Sequence, residues 1–377
     1  MKIVFNTRYP DSAASYCYRQ AFSDLEGITF FDWENYKKYD VALFMSYEKD
    51  LQDLVAVKKN NPDIKIGLID ARGSAVEEYR KYLDFFVLDS IEMSDFFAGY
   101  GIPIFLYYEY PRVEKAYKKH AQKKTITIGY HGNKLHLLGM YPNLTRALEF
   151  LGEKYDIKFL AVYNIKSLGR WQYGLPGNIP VEHVQWHENV YNQEFANVDI
   201  GVVPAVLPIK DLRSTKRKIV VSKEIFNDSN DDYLIRFKML SNPGRIIVFG
   251  QLGIPVVADF FPSAFQTIQN GINGFLAYNC GGWVSALEKL ILSNRLRQEF
   301  SDSMHVGVRE VFDYSVQNKE LIRFLKENIL VPTAPSVFQF IPRVESDLTA
   351  IPAFNATALK MKVKALSCRV LKRWRQK

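Results

Sequence analysis

Short apolar runs alternate with helical segments over the first part of this 377-residue chain. The segment from Ala14 to Leu25, for example, has the apolar spacing of a helix and lies between two such runs. Alternation of this kind is typical of a parallel sheet that is covered by helices on both faces. We therefore expect an open α/β domain over residues 1–112. Its predicted strands are Ile3–Phe5, Ile28–Phe31, Val41–Met45, Ile64–Ile69, Phe86–Leu88 and Ile104–Tyr107.

The alternation stops at a polar segment and then starts again. Residues 113–124 lack apolar periodicity, which predicts a linker between domains. Beyond the linker we expect a second domain over residues 125–330, and residues 331–377 as an extended segment with a basic tail. The predicted fold class is α/β, with two Rossmann-like domains facing each other across a cleft and a basic C-terminal helix. The first strands predicted for the second domain are Thr125–Tyr130, Ile157–Val162 and Val198–Val203.

Residues 245–275, RIIVFGQLGIPVVADFFPSAFQTIQNGINGF, give the most detailed local prediction. Apolar spacing predicts a helix that ends at Gly253, where a positive φ is commonly needed. Pro255–Ala258 then reads as a buried strand, and Ser263 as the N-cap of a helix that runs to Asn270. Ligands of open α/β sheets lie at the carboxyl ends of strands, near helix N-termini that attract phosphate. The turn before Ser263 is expected at such an end.

The turn after the strand Thr125–Tyr130 is the first candidate binding site. It contains His131, Gly132, Asn133 and Lys134. A turn of small residues brings backbone N–H groups close to phosphate, and Lys134 adds a point charge. The alternative is an ordinary strand–helix turn with His131 and Lys134 facing solvent.

A second candidate site is formed by cations around residues 241–244. These cations are Arg236, Lys238 and Arg245. A cation at a helix start is locally unfavourable, because the N-terminal end of the helix carries partial positive charge. Its presence is explained if a diphosphate is shared between the cation and the helix. We therefore predict catalytic roles for Lys238 and Arg245; the alternative is a solvated arginine in the first turn.

Asp70 follows the apolar strand Ile64–Ile69 and is the third catalytic candidate. A carboxylate at the carboxyl end of a strand can act as a general base or bind acceptor hydroxyls. The alternative is that Asp70 caps the next helix and pairs with Arg72. Tyr9, Asp11 and Ser12 follow the first strand and form another turn where an acceptor could rest.

The charge distribution argues against a nucleic-acid-binding body. The net charge is +8, and the segment 359–377 holds eight basic residues and no acidic one, which leaves 41 basic and 41 acidic residues elsewhere. The six histidines and three cysteines show no metal-ligand spacing, and GxGxxG is absent, so we expect no metal site and no dinucleotide cofactor. Widely spaced cysteines favour a reduced, cytoplasmic setting.

The tail has apolar residues at helical spacing with basic residues between them. This pattern predicts an interfacial helix attracted to anionic lipid, with about 1 kcal/mol from each nearby cation. The alternatives are a basic helix docked on the body and a disordered tail. Since no apolar run suits a spanning helix or a signal-peptide core, we expect a cytoplasmic protein that is peripheral on the inner face of the membrane. The apolar positions are Leu359, Val363, Leu366, Val370, Leu371 and Trp374.

Three motifs stand in order in the second half: DIGVVP at 199–204, GIPVVA at 253–258 and NGINGF at 270–275. With them the chain resembles GT-B glycosyltransferases, especially the large retaining group (group 1 type) of bacterial polysaccharide and lipopolysaccharide biosynthesis. The resemblance implies a nucleotide diphosphate sugar as donor substrate, no other cofactor and no metal. The donor would lie against the second domain, and the acceptor near Asp70 and the loop after the first strand.

That group usually carries two glutamates eight positions apart, the second of which meets the nucleotide ribose. The corresponding positions here are Leu240 and Val248. Ribose recognition is therefore expected through Asn242, Gln266 or backbone groups.

The leading hypothesis is a metal-independent hexosyltransferase that acts on a glycan or lipid-linked acceptor. A second hypothesis is a non-catalytic protein that binds a sugar nucleotide or glycan, which the missing glutamates favour. A third is a GT-B sugar-nucleotide epimerase, which needs no acceptor. Nucleic-acid binding through the tail is a weaker alternative.

Overall fold

The computed structural model describes residues 1–71, 75–113, 117–187, 189–205 and 242–331. Six parallel strands form a sheet in the first half, in the order β2-β1-β3-β4-β5-β6. Apolar side chains on both faces of the inner strands β1, β3, β4 and β5 are buried, as expected for a parallel sheet between two helical layers, whereas the edge strands β2 and β6 are only partly buried. All six predicted strands are confirmed. The strands are β1 (Ile3–Asn6), β2 (Ile28–Phe30), β3 (Val41–Met45), β4 (Lys65–Ile69), β5 (Phe85–Leu88) and β6 (Ile104–Leu106).

Helices connect these strands. The first begins behind its N-cap Ser12, whose hydroxyl accepts a hydrogen bond from the amide of Ser15 at 3.2 Å. Single turns of 3₁₀ helix lie at Tyr36–Lys38 and Arg80–Tyr82. The helices are α1 (Ala13–Phe22), α2 (Glu48–Asn60), α3 (Ala75–Tyr79) and α4 (Ile91–Ala98).

The second half contains another parallel six-stranded sheet, in the order β12-β11-β10-β7-β8-β9. The sequence analysis predicted β7, β8, β10 and β11 but did not identify β9, whose residues are only partly buried. The fold class predicted from the sequence, with two Rossmann-like sheets, is confirmed for the described residues. The strands are β7 (Ile126–His131), β8 (Ile157–Tyr163), β9 (Val181–Gln185), β10 (Ile200–Val203), β11 (Val256–Asp259) and β12 (Phe275–Ala277).

The helices described after β7 in the chain include three of four residues each. Single 3₁₀ turns at Leu138–Met140 and Phe195–Asn197 extend two of them. The helices are α5 (Lys134–Leu137), α6 (Asn143–Gly152), α7 (Ile165–Leu168), α8 (Val190–Gln193), α9 (Gly244–Leu252), α10 (Pro262–Thr267), α11 (Cys280–Leu292), α12 (Asn294–Gly307) and α13 (Tyr314–Phe324). Single π-helical turns, Val308–Phe312 and Leu325–Ile329, flank α13.

The order of elements predicted for residues 245–275 is confirmed, but the second helix ends at Thr267 instead of Asn270, and its predicted N-cap is wrong. Helix α9 ends at Gly253, which has a φ of 71°, and β11 follows. The N-cap prediction for Ser263 is wrong, because α10 begins at Pro262 behind Phe261. The Ser263 hydroxyl instead donates to the carboxylate of Glu92, on α4 of the first half, at 2.6 Å. A contact with a residue so distant in the sequence replaced the local one.

Helix α13 lies on the first sheet although it follows the second in sequence. Tyr107 donates its hydroxyl to the Asn318 side chain at 2.8 Å, and the ring of Phe324 lies 5.3 Å from that of Phe105. The domain limits given above stay predictions. The described residues of the predicted linker 113–124 form no helix or strand.

Several sequence-based predictions concern residues outside the described ranges. Lys238, Arg236 and Arg72 belong to this group, as does the tail 359–377. Their predicted roles stay predictions.

Candidate functional site: a cleft at two topological switch points

The strand orders predict where a ligand should bind. In open α/β sheets, ligands bind outside the carboxyl ends of strands, at the point where the strand order reverses. That point lies between β1 and β3 in the first sheet and between β7 and β10 in the second. The loops after β1 and β7 should therefore border the site.

A cavity of about 570 Å³ lies between these two loops. Its volume falls in the range of small-molecule sites. Among the described residues that line it, the single lysine or arginine is Arg245, and the carboxylates are Asp11 and Glu109. The first half contributes Asp11–Ala14, Tyr16, Cys17 and Glu109–Pro111; the second contributes His131–Asn133, Asn164, Ser167, Leu168, Trp186, Tyr191, Asn242, Gly244 and Arg245.

Arg245 occupies the first turn of α9 and is largely buried. Its Nη1 donates to the carbonyl of Pro204 at 3.0 Å, and its Nη2 lies 3.4 Å from Nδ1 of His136. The ring of Tyr130 lies 5.9 Å from the guanidinium carbon. Burial lowers the pKa of Arg245, against the opposing effects of Tyr130 and Asp259, but an arginine stays charged near neutral pH. The structure thus holds the Arg245 cation at the N-terminus of α9, the end of the helix that carries partial positive charge.

Gly132 makes room for this arginine. Its φ of 136° is rarely adopted by residues with a side chain, and a Cβ there would lie 2.9 Å from Cδ of Arg245. Glycine at this position therefore serves the close approach of the arginine as well as the turn.

His131 does not face solvent, so that alternative of the sequence analysis is wrong. It ends β7, its ring is buried, and burial next to Arg245 lowers its pKa to about 3. A carbonyl can only accept, so Nε2 donates to the Arg245 carbonyl at 3.2 Å and Nδ1 accepts from the Tyr191 hydroxyl at 3.3 Å. A neutral His131 therefore connects β7 to α9 and lines the cavity without carrying charge.

Asn242 connects the start of α9 to the first half. Its side-chain oxygen accepts from the amide of Gly244 at 2.9 Å. Its side-chain nitrogen donates to Asp89 at 3.1 Å and to the carbonyl of Glu109 at 3.4 Å. Asn242 is thus placed at the cavity by contacts on both sides of the cleft.

The other predicted site residues divide between the cavity and its surroundings. Asn133 lines the cavity and caps α5, while the amine of Lys134 donates to the carbonyl of Leu168. Gln266 accepts the hydroxyl hydrogen of Tyr108 at 2.7 Å. Asp70 is buried at the end of β4 with a φ of 50°. Within the described chain, Lys134, Gln266 and Asp70 are not among the residues that line the cavity. All site assignments stay predictions.

The loop after β1 is held by hydrogen bonds to a buried carboxylate. Asp50, in the first turn of α2, accepts from the Thr7 hydroxyl at 2.7 Å and from the amide of Arg8 at 2.6 Å. Burial raises the pKa of Asp50 to about 6. These bonds position the segment that leads to Asp11 and Ser12, the predicted acceptor turn, and both of those residues line the cavity.

The sequence analysis missed Glu109 and the aromatic side chains Tyr16, Trp186 and Tyr191. Glu109 lies a short way beyond β6, whereas Asp70 directly follows β4, so the rule that selected Asp70 pointed to Glu109 less directly. The aromatic residues carried no such signal, because they reach the cavity from α1, from the end of β9 and from α8.

Neither metal ligands nor a membrane span are found in the described chain. Its histidine, cysteine, aspartate and glutamate side chains form no group of three suited to hold a metal ion. Its helices include none long and apolar enough to cross a membrane.

Two Rossmann-like sheets that face each other across a ligand-sized cleft define the GT-B fold. Solved GT-B glycosyltransferases share this architecture with the chain. HepE of Anabaena in complex with UDP-glucose is similar at a TM-score of 0.55 and 13% identity, over 86% of this chain and 99% of that one. The lipopolysaccharide outer core galactosyltransferase WaaB is similar at 0.50 and 13%, over 86% and 99%.

A glycosyltransferase from Rickettsia africae ESF-5 is similar at a TM-score of 0.51 and 15% identity, over 79% of this chain and 78% of that one. A scan against protein-family models and a search of curated proteins found no match. At these identities the likeness shows the fold.

Proposed function

We propose that the protein is a glycosyltransferase that moves a hexose from a nucleotide diphosphate sugar to a glycan or lipid-linked acceptor. The observation that carries the proposal is the position of Arg245, a buried cation at the N-terminus of α9 in a cavity that both switch-point loops border. The GT-B architecture, shared with sugar transferases such as HepE and WaaB, supports it.

The chemistry requires stabilisation of a leaving group. As the bond between the sugar and the diphosphate breaks, negative charge grows on the leaving oxygen, and a preorganised positive group lowers the barrier most. Arg245 meets this requirement because Pro204 and Tyr130 fix its orientation before any ligand binds. The positive end of α9 acts in the same direction.

A screen of nucleotide-sugars tests the proposal. A ligand that binds only the folded state stabilises it by about 2.7 kcal/mol at 100 times its Kd. We expect hexoses linked to one nucleoside diphosphate to raise the midpoint of thermal unfolding. The same hexoses linked to nucleoside diphosphates with other bases should raise it less. A screen in which UDP-, GDP-, ADP- and dTDP-hexoses all leave the midpoint unchanged would contradict donor binding.

Product analysis separates the remaining hypotheses. A transferase releases the nucleoside diphosphate from the bound donor, and this release should persist in EDTA if Arg245 replaces a metal ion. An epimerase instead yields a second intact nucleotide-sugar without acceptor. A binding protein leaves the donor unchanged.

We also propose that the protein is cytoplasmic and peripheral on the membrane through residues 359–377, on the basis of the basic and apolar spacing of that segment. Full-length protein should sediment with vesicles of phosphatidylglycerol and not of phosphatidylcholine alone. Replacement of the eight basic residues of the segment by glutamine should abolish this sedimentation.

A further inference from the structure

Glu109 is a carboxylate in the wall of the cavity that no prediction above uses. It lies just beyond β6, next to Tyr110 and Pro111, and is half-buried. Its side chain accepts a hydrogen bond from the thiol of Cys17, on α1. Burial raises the pKa of Cys17 well above its usual value, and the carboxylate raises it further, so the thiol keeps its proton and can donate.

Glu109 reaches the cavity from the first half of the chain and Arg245 from the second. The two approach each other at the start of α9, where the Asn242 side chain donates to the Glu109 carbonyl at 3.4 Å. A diphosphate is repelled by a carboxylate and attracted by a guanidinium. A donor in this cavity therefore has its diphosphate at Arg245, and the group next to the Glu109 carboxylate is an uncharged hydroxyl.

Of the carboxylates in the described lining, Glu109 is better suited than Asp11 to take up a proton. Asp11 is exposed at the cavity rim, where water competes for it. Glu109 is less exposed and is held by a buried donor, which reduces the reorganisation needed when a proton arrives. A base must also lie within hydrogen-bond reach of the hydroxyl it serves, and Glu109 borders the space next to the diphosphate site.

Resting on the function proposed above, we propose that Glu109 is the catalytic base for the acceptor hydroxyl. The acceptor oxygen forms a bond to the anomeric carbon as the bond from that carbon to the diphosphate oxygen breaks. The hydroxyl proton passes to the Glu109 carboxylate, and the bonding electron pair leaves with the nucleoside diphosphate. Cys17 is a positioning residue that orients the carboxylate.

Replacement of Glu109 by glutamine tests the assignment, because the amide keeps the shape of the side chain but cannot accept the proton. The assay follows release of nucleoside diphosphate from the best donor of the screen, with water and with octyl glucoside as acceptors. We expect Glu109→Gln to lower kcat by about 100-fold or more, with a donor Kd within about twofold of wild type. Glu182→Gln, an exposed carboxylate on β9 outside the cavity, is the matched control and should keep full activity.

The pH profile gives a second readout. The wild-type rate should fall on acidification as Glu109 gains a proton, and Glu109→Gln should lack this acid limb. If the glutamine variant does not fold, Glu109→Asp is the alternative, because aspartate keeps the negative charge on a side chain that is one methylene shorter. This variant should retain the acid limb, with a rate lowered by about 10-fold or more.

Two results would overturn the assignment: a glutamine variant with kcat within about threefold of wild type, or a loss confined to donor affinity. Failure of the proposed function gives a different result, in which the wild-type protein neither binds nor cleaves any nucleotide-sugar.

Discussion

The two walls of the cavity differ in the charge they present. The wall from the second sheet holds Arg245, oriented by the carbonyl of Pro204 and placed at the positive end of a nine-residue helix. The wall from the first half holds Glu109, oriented by the thiol of Cys17. For the transfer proposed above, the wall with Arg245 would face the leaving diphosphate and the wall with Glu109 the acceptor hydroxyl, so each wall would serve one half of the reaction.

The largest expected effect comes from removing the positive charge of the second wall. Arg245→Met should raise the donor Kd by about 100-fold, close to 2.7 kcal/mol, because the diphosphate loses its fixed cation. Isothermal titration with the donor identified by the screen measures this change.

A matched variant separates charge from structure. Arg297 is an arginine with a relative exposure of 1% on α12, whose guanidinium donates to the carbonyls of Leu290 and Ala121, and it is not among the described residues that line the cavity. Arg297→Met should lower the unfolding midpoint without changing the donor Kd of the folded protein. Equal losses of donor affinity in both variants would show that Arg245 acts only through protein stability. The second wall would then have no specific attraction for the diphosphate.

Much of this fold could be predicted because the deciding interactions are local. Strands buried on both faces require unbroken apolar runs, so β3 and β4 are visible in the sequence. Gly253 marks the end of α9 because few other residues tolerate its φ of 71°. Arg245 was identified through its unfavourable position at a helix start, which is also a local property.

Features set by distant contacts could not be predicted in this way. Ser263 has the composition of an N-cap, but Glu92 from the other half takes its hydroxyl. His131 looks like a solvated turn residue until α8 and α9 cover it. Partial burial hides β9, because its alternating exposure is weak and polar residues interrupt it. For Ser263 and His131 the deciding partner lies far away in sequence.

The next expected effect is on the free energy of unfolding at acidic pH. His131 and Asp50 should change it in opposite directions. Burial holds the pKa of His131, on the second wall, at about 3, and that of Asp50, beneath the first, at about 6. The unfolded chain protonates a histidine near pH 6.5, so the stability from a neutral His131 is present above pH 6.5 and is lost as the pH falls towards 3. Asp50 takes up its proton in the folded state first, so it adds stability as the pH falls through 6.

The two contributions can be measured separately. Between pH 6.5 and 5.0, His131 should subtract about 2 kcal/mol from the free energy of unfolding and Asp50 should add about 1 kcal/mol. His120, with a pKa lowered by burial to about 4, should act like His131. Urea unfolding at both pH values should therefore show a smaller acid loss for His131→Gln and a larger one for Asp50→Asn, with exposed His187→Gln as control. If both variants lose as much unfolding free energy on acidification as the wild-type protein, burial does not shift the pKa of either side chain in the way described.

The smallest expected effect concerns one of the contacts that join the two halves away from the cavity. The Glu92 carboxylate accepts the Ser263 hydroxyl at 2.6 Å and is not among the described residues lining the cavity, so its removal should loosen both walls without altering the charge of either. A double-mutant cycle of Glu92→Gln and Ser263→Ala should give a coupling of about 1 kcal/mol in unfolding free energy. The exposed pair Arg295–Glu299 on α12 is the matched control, with about 0.3 kcal/mol expected. If the coupling of Glu92 and Ser263 does not exceed that of the control, this hydrogen bond contributes no more to holding the halves together than an exposed ion pair contributes to a helix.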